Sequence, residues 1–167
     1  MFGEDDRGKR RPLELHEAKL KALDKILAKH KGEPVLVLTT YTHERDRVLA
    51  RHPKARLFNE KDMPEWRAGK IPVWVASPQS MSHGIDGMQD SCRIAVWMTP
   101  TYSWETYYQT NARIVRTGQV HESIVYRILV KDTIDWAVAE TLRSKEEGNN
   151  GAMLAIRNLQ KLRDNEP

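Results

Sequence analysis

The sequence predicts an α/β domain with a mostly parallel central sheet flanked by helices. Three observations carry this. Short apolar runs at Val35 to Leu38, Ile71 to Ala76 and Arg93 to Met98 read as buried strands, the first rich in β-branched residues, and Ile124 to Val130 reads as a last strand. Stretches with helical spacing separate most of them. The resulting order is helix, strand, helix, strand, strand, helix, strand, helix, the pattern of strands joined by crossovers.

Bulk properties narrow the class. A length of 167 residues suits one domain with a single sizeable core. No apolar run approaches the roughly 20 residues that span a bilayer. The opening MFGEDDRGKRR has no apolar stretch behind it and is not a signal peptide. The single cysteine, Cys92, excludes an internal disulfide, and one thiol with scattered histidines makes no zinc framework. An intracellular, reduced setting fits: cytoplasmic, or nuclear in a eukaryote. A net charge of +4 and a pI near 9.2 lean towards a polyanionic partner, and equally serve solubility.

Residues 1–12 are polar and charged, a flexible lead-in or linker; 13–147 form the domain and 148–167 a helical extension. From Leu13 to His30 the pattern is helical. Leu20, Leu23, Ile26 and Leu27 form an apolar stripe, with Lys19, Lys21, Lys25 and Lys29 as a solvated or DNA-facing row. Glu17 precedes Lys21 by one turn, the favourable order for a surface pair. Gly32 stops the helix. After the strand Val35 to Leu38 come Thr39, Thr40 and Tyr41, then a polar helix from Thr42 to Arg51, with Thr42 a possible N-cap. A short strand at Ala55 to Phe58 precedes a segment from Lys61 to Gly69 that turns helical after Pro64.

Beyond the strand ending at Ala76 runs a Ser- and Gly-bearing loop, Ser77 to Gln89. Small residues there let a ligand approach the backbone closely. His83 has neither a nucleophile nor a paired carboxylate beside it and is read as a positioning residue. Ser103 is placed to cap the next helix, with Thr106 at its third position. Tyr102, Trp104, Tyr107 and Tyr108 are either a base-stacking platform or packing residues. Asp132-Thr133 cap a helix from Ile134 to about Lys145. Gly148-Asn149-Asn150-Gly151 is a break, and a last helix runs from Ala152 to Arg163.

The chain is organised around Trp104 to Gln119, WETYYQTNARIVRTGQ. Gln109, Arg113 and Arg116 stand at i, i+4 and i+7, one face of a helix that Gly118 would end. Two readings stand for the arginines. They are ordinary solvated side chains, or they clamp a phosphate group, since each planar guanidinium donates two parallel hydrogen bonds to anionic oxygens.

The wording Gln-x-x-x-Arg-x-x-Arg-x-Gly-Gln resembles the sixth helicase motif of superfamily 2, in the form used by Swi/Snf-type DNA-dependent ATPases. Other stretches resemble the same family in the same order. The strand followed by Thr39-Thr40 resembles the fourth motif, and Ser82-His83-Gly84-Ile85-Asp86 the fifth. Trp66-Arg67-Ala68-Gly69-Lys70 resembles a turn found especially in short phage-like members. One departure is Gly87, which lengthens the fifth-motif loop before Met88-Gln89.

The resemblance implies a RecA-like three-layer fold and the second, C-terminal lobe of a helicase-type translocase. Carried over, Arg116 is the arginine finger, Arg113 its neighbour at the γ-phosphate, and Gln109 orients them. Gly84 and Asp86 lie in the nucleotide-coupling loop, while Thr39, Thr40, Ser82 and His83 contact DNA. ATP with Mg²⁺ would sit at the interface with a first RecA-like lobe, in cis or in trans, and the nucleic acid would be double-stranded DNA. These 167 residues hold no Gly-x-x-x-x-Gly-Lys-Ser/Thr loop and no Asp-Glu pair ending a buried strand. The expectation is no ATP hydrolysis by this polypeptide alone. The competing class is a stand-alone, non-catalytic module that binds nucleic acid or a protein partner. Retention of Gln109, both arginines and Gln119 favours the first.

Overall fold

The computed structural model describes residues 2–4, 10–12, 17–81, 92–115, 122–131 and 133–148. The chain divides into two units, Met1–Leu129 and Val130–Pro167.

In the first unit, β1 (Phe2–Glu4) and β2 (Arg10–Pro12) pair as an antiparallel ribbon. This ribbon stands within the polar segment expected from its composition to be a flexible lead-in or linker. Next comes α1 (Ala18–Lys29), with Leu20 and Leu23 buried and basic Lys29 in its last turn, where a cation suits the helix dipole. Glu17 reaches Arg51 at 3.6 Å, an ion pair to the next helix in place of the expected Lys21.

Five strands form the sheet: β3 (Val35–Leu38), β4 (Ala55–Leu57), β5 (Val73–Ala76), β6 (Ile94–Trp97) and β7 (Ile124–Arg127). Their order is β4-β5-β3-β6-β7 and every pairing is parallel. The three central strands are buried at every position. A parallel sheet covered by helices on both faces explains why these runs are continuously apolar rather than alternating. Val35, Val37, Val73, Val75, Ile94 and Val96 face α1 and α2 (Thr42–Arg51), whose Leu20, Leu23 and Val48 complete that core.

The opposite face carries larger rings. Trp74 packs on Trp66 of α3 (Met63–Arg67) with centroids 4.8 Å apart, and Trp97 on Tyr107 of α4 (Trp104–Ala112) at 5.2 Å. The result is a three-layer, RecA-like α/β fold. Burying an aromatic or aliphatic side chain is worth about 1.5–3 kcal/mol, so Trp66, Trp74 and Trp97, all fully buried, are principal contributors.

The turn after α3 shows why the Trp-x-x-Gly-Lys wording works locally. Gly69 has φ +67°, a left-handed conformation that costs other residues a Cβ clash. Its N–H bonds to Trp66 O at 2.9 Å, and the Lys70 N–H bonds to Glu65 O at 2.9 Å, closing the helix's orphan carbonyls before β5.

Two caps differ from expectation. The cap position of α2 falls on Tyr41, which offers no side-chain cap, and Thr42 is the first helical residue. In the second unit, a helix α5 covers 134–148, running past the expected end at Lys145. Thr133 there donates its hydroxyl to Val130 O at 2.7 Å instead of accepting from the first turn; Asp132 lies outside the described residues. Along α5, Arg143 pairs with Glu140 and Glu147. No helix among the described residues is long and apolar enough to cross a membrane.

Candidate nucleotide and nucleic-acid site

The sheet order creates a switch point. From β3 the chain leaves towards β4 on one side, whereas from the adjacent β6 it leaves towards β7 on the other. Connections that diverge from neighbouring parallel strands leave a crevice at their carboxyl ends, the usual ligand position in open α/β sheets. Thr39, Thr40 and Tyr41 follow β3 here, and Thr99, Thr101 and Tyr102 follow β6.

The two sets are bonded together. Thr40 donates its hydroxyl to Thr99 O at 3.3 Å, and Met98 N–H donates to Leu38 O at 2.9 Å. Thr39 is only 3% exposed, and its hydroxyl makes a long 3.5 Å contact to Ala76 O. Of the two candidate DNA-contacting threonines, Thr40 is the more accessible.

Under these loops lies a charged knot. Lys19 Nζ donates to the Thr99 hydroxyl at 2.5 Å, the same hydroxyl donates to Glu44 Oε1, and Lys19 and Glu44 stand 3.7 Å apart. Glu44 is buried and its Oε2 has no hydrogen-bond partner. Buried charge is tolerated when paired, and Lys19 supplies the pairing. Sequence reasoning missed both residues, placing Lys19 in a lysine row and Glu44 on a polar helix. The only available signal was position: Lys19 adjoins the apolar stripe at Leu20, and Glu44 lies one turn from buried Val48.

Ser103 Oγ caps α4 by accepting from the Thr106 N–H at 3.2 Å, as expected. The helix is shorter than its sequence suggests. Regular α-helix ends at Ala112, and Arg113 occupies the C-cap, its N–H reaching Thr110 O at 3.3 Å in a tightened last turn. Two anchors fix this end: Trp97 Nε1 donates to Asn111 Oδ1 at 3.0 Å, and Ile114 is fully buried. Gln109 and Arg113 therefore keep their one-turn spacing, with Arg113 just past the last regular helical residue. Exposed Gln109 donates to Glu105 Oε1 at 3.0 Å, and Arg113 is half-buried. Arg116, Gly118 and Gln119, together with Ser82, His83, Gly84 and Asp86, lie outside the described residues.

The four aromatics separate into two roles. Tyr107 packs inward, Trp104 is half-buried against it with centroids 6.0 Å apart, and Tyr102 and Tyr108 are exposed at 61% and 56%. Cys92 is no nucleophile: burial pushes its thiol up to about 11, so the reactive thiolate is scarce at neutral pH.

No protein-family model matches the chain. Over 139 residues it is 34% identical to protein p41 of Acyrthosiphon pisum secondary endosymbiont phage 1, an alignment covering 79% of this chain and 30% of p41. The chain thus spans less than a third of that relative's length. Among solved structures, the C-terminal part of the Fun30 ATPase domain matches with a TM-score of 0.61 at 21% identity, over 73% of this chain and 44% of that one. The Pyrococcus furiosus Hef helicase domain matches with a TM-score of 0.56 at 20% identity, over 83% of this chain and 29% of that one. At these identities the likeness is one of fold, the RecA-like α/β fold.

Proposed function

We propose that this chain is the C-terminal lobe of a DNA-dependent ATPase of the superfamily 2, Swi/Snf type, a translocase component inactive in hydrolysis without a first lobe. The carrying observation is positional. The helix bearing Gln109 and Arg113 follows β6 directly, beside the switch point of a RecA-like sheet. The phage origin of p41 fits the phage-like wording of the Trp66–Lys70 turn.

In this reading Arg113 and Arg116 hold the outer phosphates of ATP, and Gln109 orients them. A half-buried guanidinium at a helix end suits that task, since partial desolvation strengthens its bonds to anionic oxygens. Gly84 and Asp86 serve the coupling loop. Carboxylates for Mg²⁺ and the phosphate-cradling loop come from the first lobe. Thr39, Thr40, Ser82 and His83 take the sugar-phosphate backbone of duplex DNA. Bound between the lobes, Mg²⁺-ATP supplies the transferable phosphoryl group, and this chain contributes the cations that neutralise its developing charge.

The test is DNA-stimulated ATP hydrolysis by the chain alone and joined to a first RecA-like lobe, each with and without Arg116→Ala. Activity is expected only in the joined form and is lost on substitution. A joined protein equally active without Arg116 refutes the finger assignment.

A further inference from the structure

The outer face of α1 carries a ridge of positive charge. Lys21, Lys25 and Lys29 stand one helical turn apart, all three are exposed, and together they mark one face over about 12 Å. Lys19, the other member of the lysine row in the sequence, is not part of it, since its ammonium turns to Thr99 and Glu44.

The carboxylates nearest the ridge in the chain are taken by arginines. Glu17 and Asp24 both pair with Arg51 of α2, at 3.6 and 2.7 Å, and Glu33 beyond the helix pairs with Arg93 at 2.7 Å. Among the described residues no carboxylate pairs with Lys21, Lys25 or Lys29. Lys29 instead donates to the neutral Tyr126 hydroxyl at 3.3 Å and keeps its charge. Like charges one turn apart weaken a helix, so the ridge carries a cost that a partner of opposite charge would remove.

Two contacts locate it. Lys19, just before the ridge, bonds to the loop after β6, and Lys29 at its end bonds to Tyr126 of β7. The ridge therefore starts beside the switch-point loops and leads away from them towards β7. Its chemistry selects the partner. An ammonium is a compact point charge on a flexible stem, suited to successive phosphates and indifferent to base sequence. A helix lying on a membrane needs large apolar side chains free to enter the lipid. Those of α1 are engaged: Leu20 and Leu23 are buried, and Ile26 and Leu27 pack against the core.

We propose that Lys21, Lys25 and Lys29 form an electrostatic track for the phosphate backbone of a nucleic acid, extending its contact from the switch-point crevice along the outer face of α1. This rests on reading the crevice as a nucleic-acid contact and goes beyond it, because none of the three lysines belongs to the crevice.

The 167-residue chain is titrated by fluorescence anisotropy against a labelled duplex, at salt from about 50 to 200 mM. The slope of log K against log salt counts the phosphates neutralised, at about 0.9 each on duplex DNA. Lys21→Gln, Lys25→Gln and Lys29→Gln combined should take about 3 off that slope, and Lys25→Gln alone about 1. A control that removes the same charge at exposed Lys54, Lys61 and Lys70 should leave the slope unchanged. Circular dichroism confirms that the variants fold. Equal slope losses in the ridge and control variants would reduce the ridge to net charge, and overturn the track while the lobe reading stands. An unchanged slope in both the triple variant and Lys25→Gln would do the same. Absence of duplex binding by the unsubstituted chain overturns the track and the nucleic-acid part of the lobe reading together. The same proteins are sedimented with phosphatidylserine vesicles; pelleting that depends on the ridge lysines, without duplex binding, gives the ridge to a membrane surface and overturns the track.

Discussion

Lys19 of α1 and Glu44 of α2 stand 3.7 Å apart across the hydroxyl of Thr99, which accepts from one and donates to the other. Thr99 thus meets residues 80 and 55 positions earlier in the chain, under the carboxyl ends of β3 and β6. The knot fixes both helices against the loop after β6, and through Thr40 it also holds the loop after β3.

Removing Lys19 leaves Glu44 as an uncompensated buried carboxylate. Lys19→Met should therefore destabilise the chain by about 3 kcal/mol, read as a fall in the urea midpoint at unchanged m-value. Pairing it with Glu44→Gln should recover most of the loss, because the second change removes the charge that lost its partner. A double variant as unstable as the single one would show that Lys19 acts through packing of its stem rather than through charge.

Acid should weaken the fold in two stages. Burial lowers His52, while Asp24, 3.3 Å away within ion-pair range but without hydrogen-bond geometry, opposes that shift. The hydrogen bonds from Arg51 hold Asp24 below the usual carboxylate range, and those from Arg93 do the same for Glu33. All three groups have folded values below their unfolded ones. His52 therefore contributes fully above about pH 6.5, and that contribution is lost as pH falls below it. The two carboxylates contribute above about pH 4, and their share is lost as pH falls through the lowered values. The urea midpoint should be level near neutrality, begin to fall near pH 6 and fall again below 4. His52→Gln should remove the first decline and leave the second; Arg93→Met should soften the second and leave the first.

The central strands were legible because a parallel sheet covered on both sides needs unbroken apolar runs, as in Val35-Leu36-Val37-Leu38. Their ends were less so. Pro72 lies inside the apolar run but has no N–H, so β5 begins at Val73 while Pro72 O still accepts from Val35. The site was legible only in part. Thr39, Thr40, Gln109 and Arg113 stand beside the switch point or on the helix following it, but Lys19 looks like any helix lysine until Thr99 is placed against it. Helix phase likewise separates Tyr107, turned onto Trp97, from exposed Tyr108 beside it, and composition carries no trace of that difference.

Gly69 offers a clean test of backbone conformation. An added Cβ would meet nothing within 4 Å, so the cost of a side chain there comes from φ +67° alone. Gly69→Ala should cost about 1–2 kcal/mol, and Gly69→Asn less, because asparagine tolerates the left-handed region. Thermal unfolding of the two variants decides it. Equal losses would mean that the helix end has shifted to a different cap.

In a two-lobed protein, a conservative change at Arg113 separates a phosphate contact from a packing role. Arg113→Lys keeps the positive charge and the long apolar stem but replaces a planar fork with a point charge. If Arg113 grips phosphate oxygens in bidentate fashion, lysine cannot reproduce the paired geometry. DNA-stimulated ATP hydrolysis should then fall to nearly the level of Arg113→Ala, whereas Arg116→Ala should cost about 10³–10⁵ in rate. Were Arg113 instead a half-buried residue that only steadies the end of α4, lysine would restore activity, and the alanine variant would lose stability along with rate. Thermal unfolding measured beside the rate separates the two. A rate loss in Arg113→Lys at unchanged melting temperature assigns the guanidinium to the nucleotide; full activity in Arg113→Lys beside a matched loss of rate and stability in Arg113→Ala assigns it to the scaffold around Asn111 and Trp97.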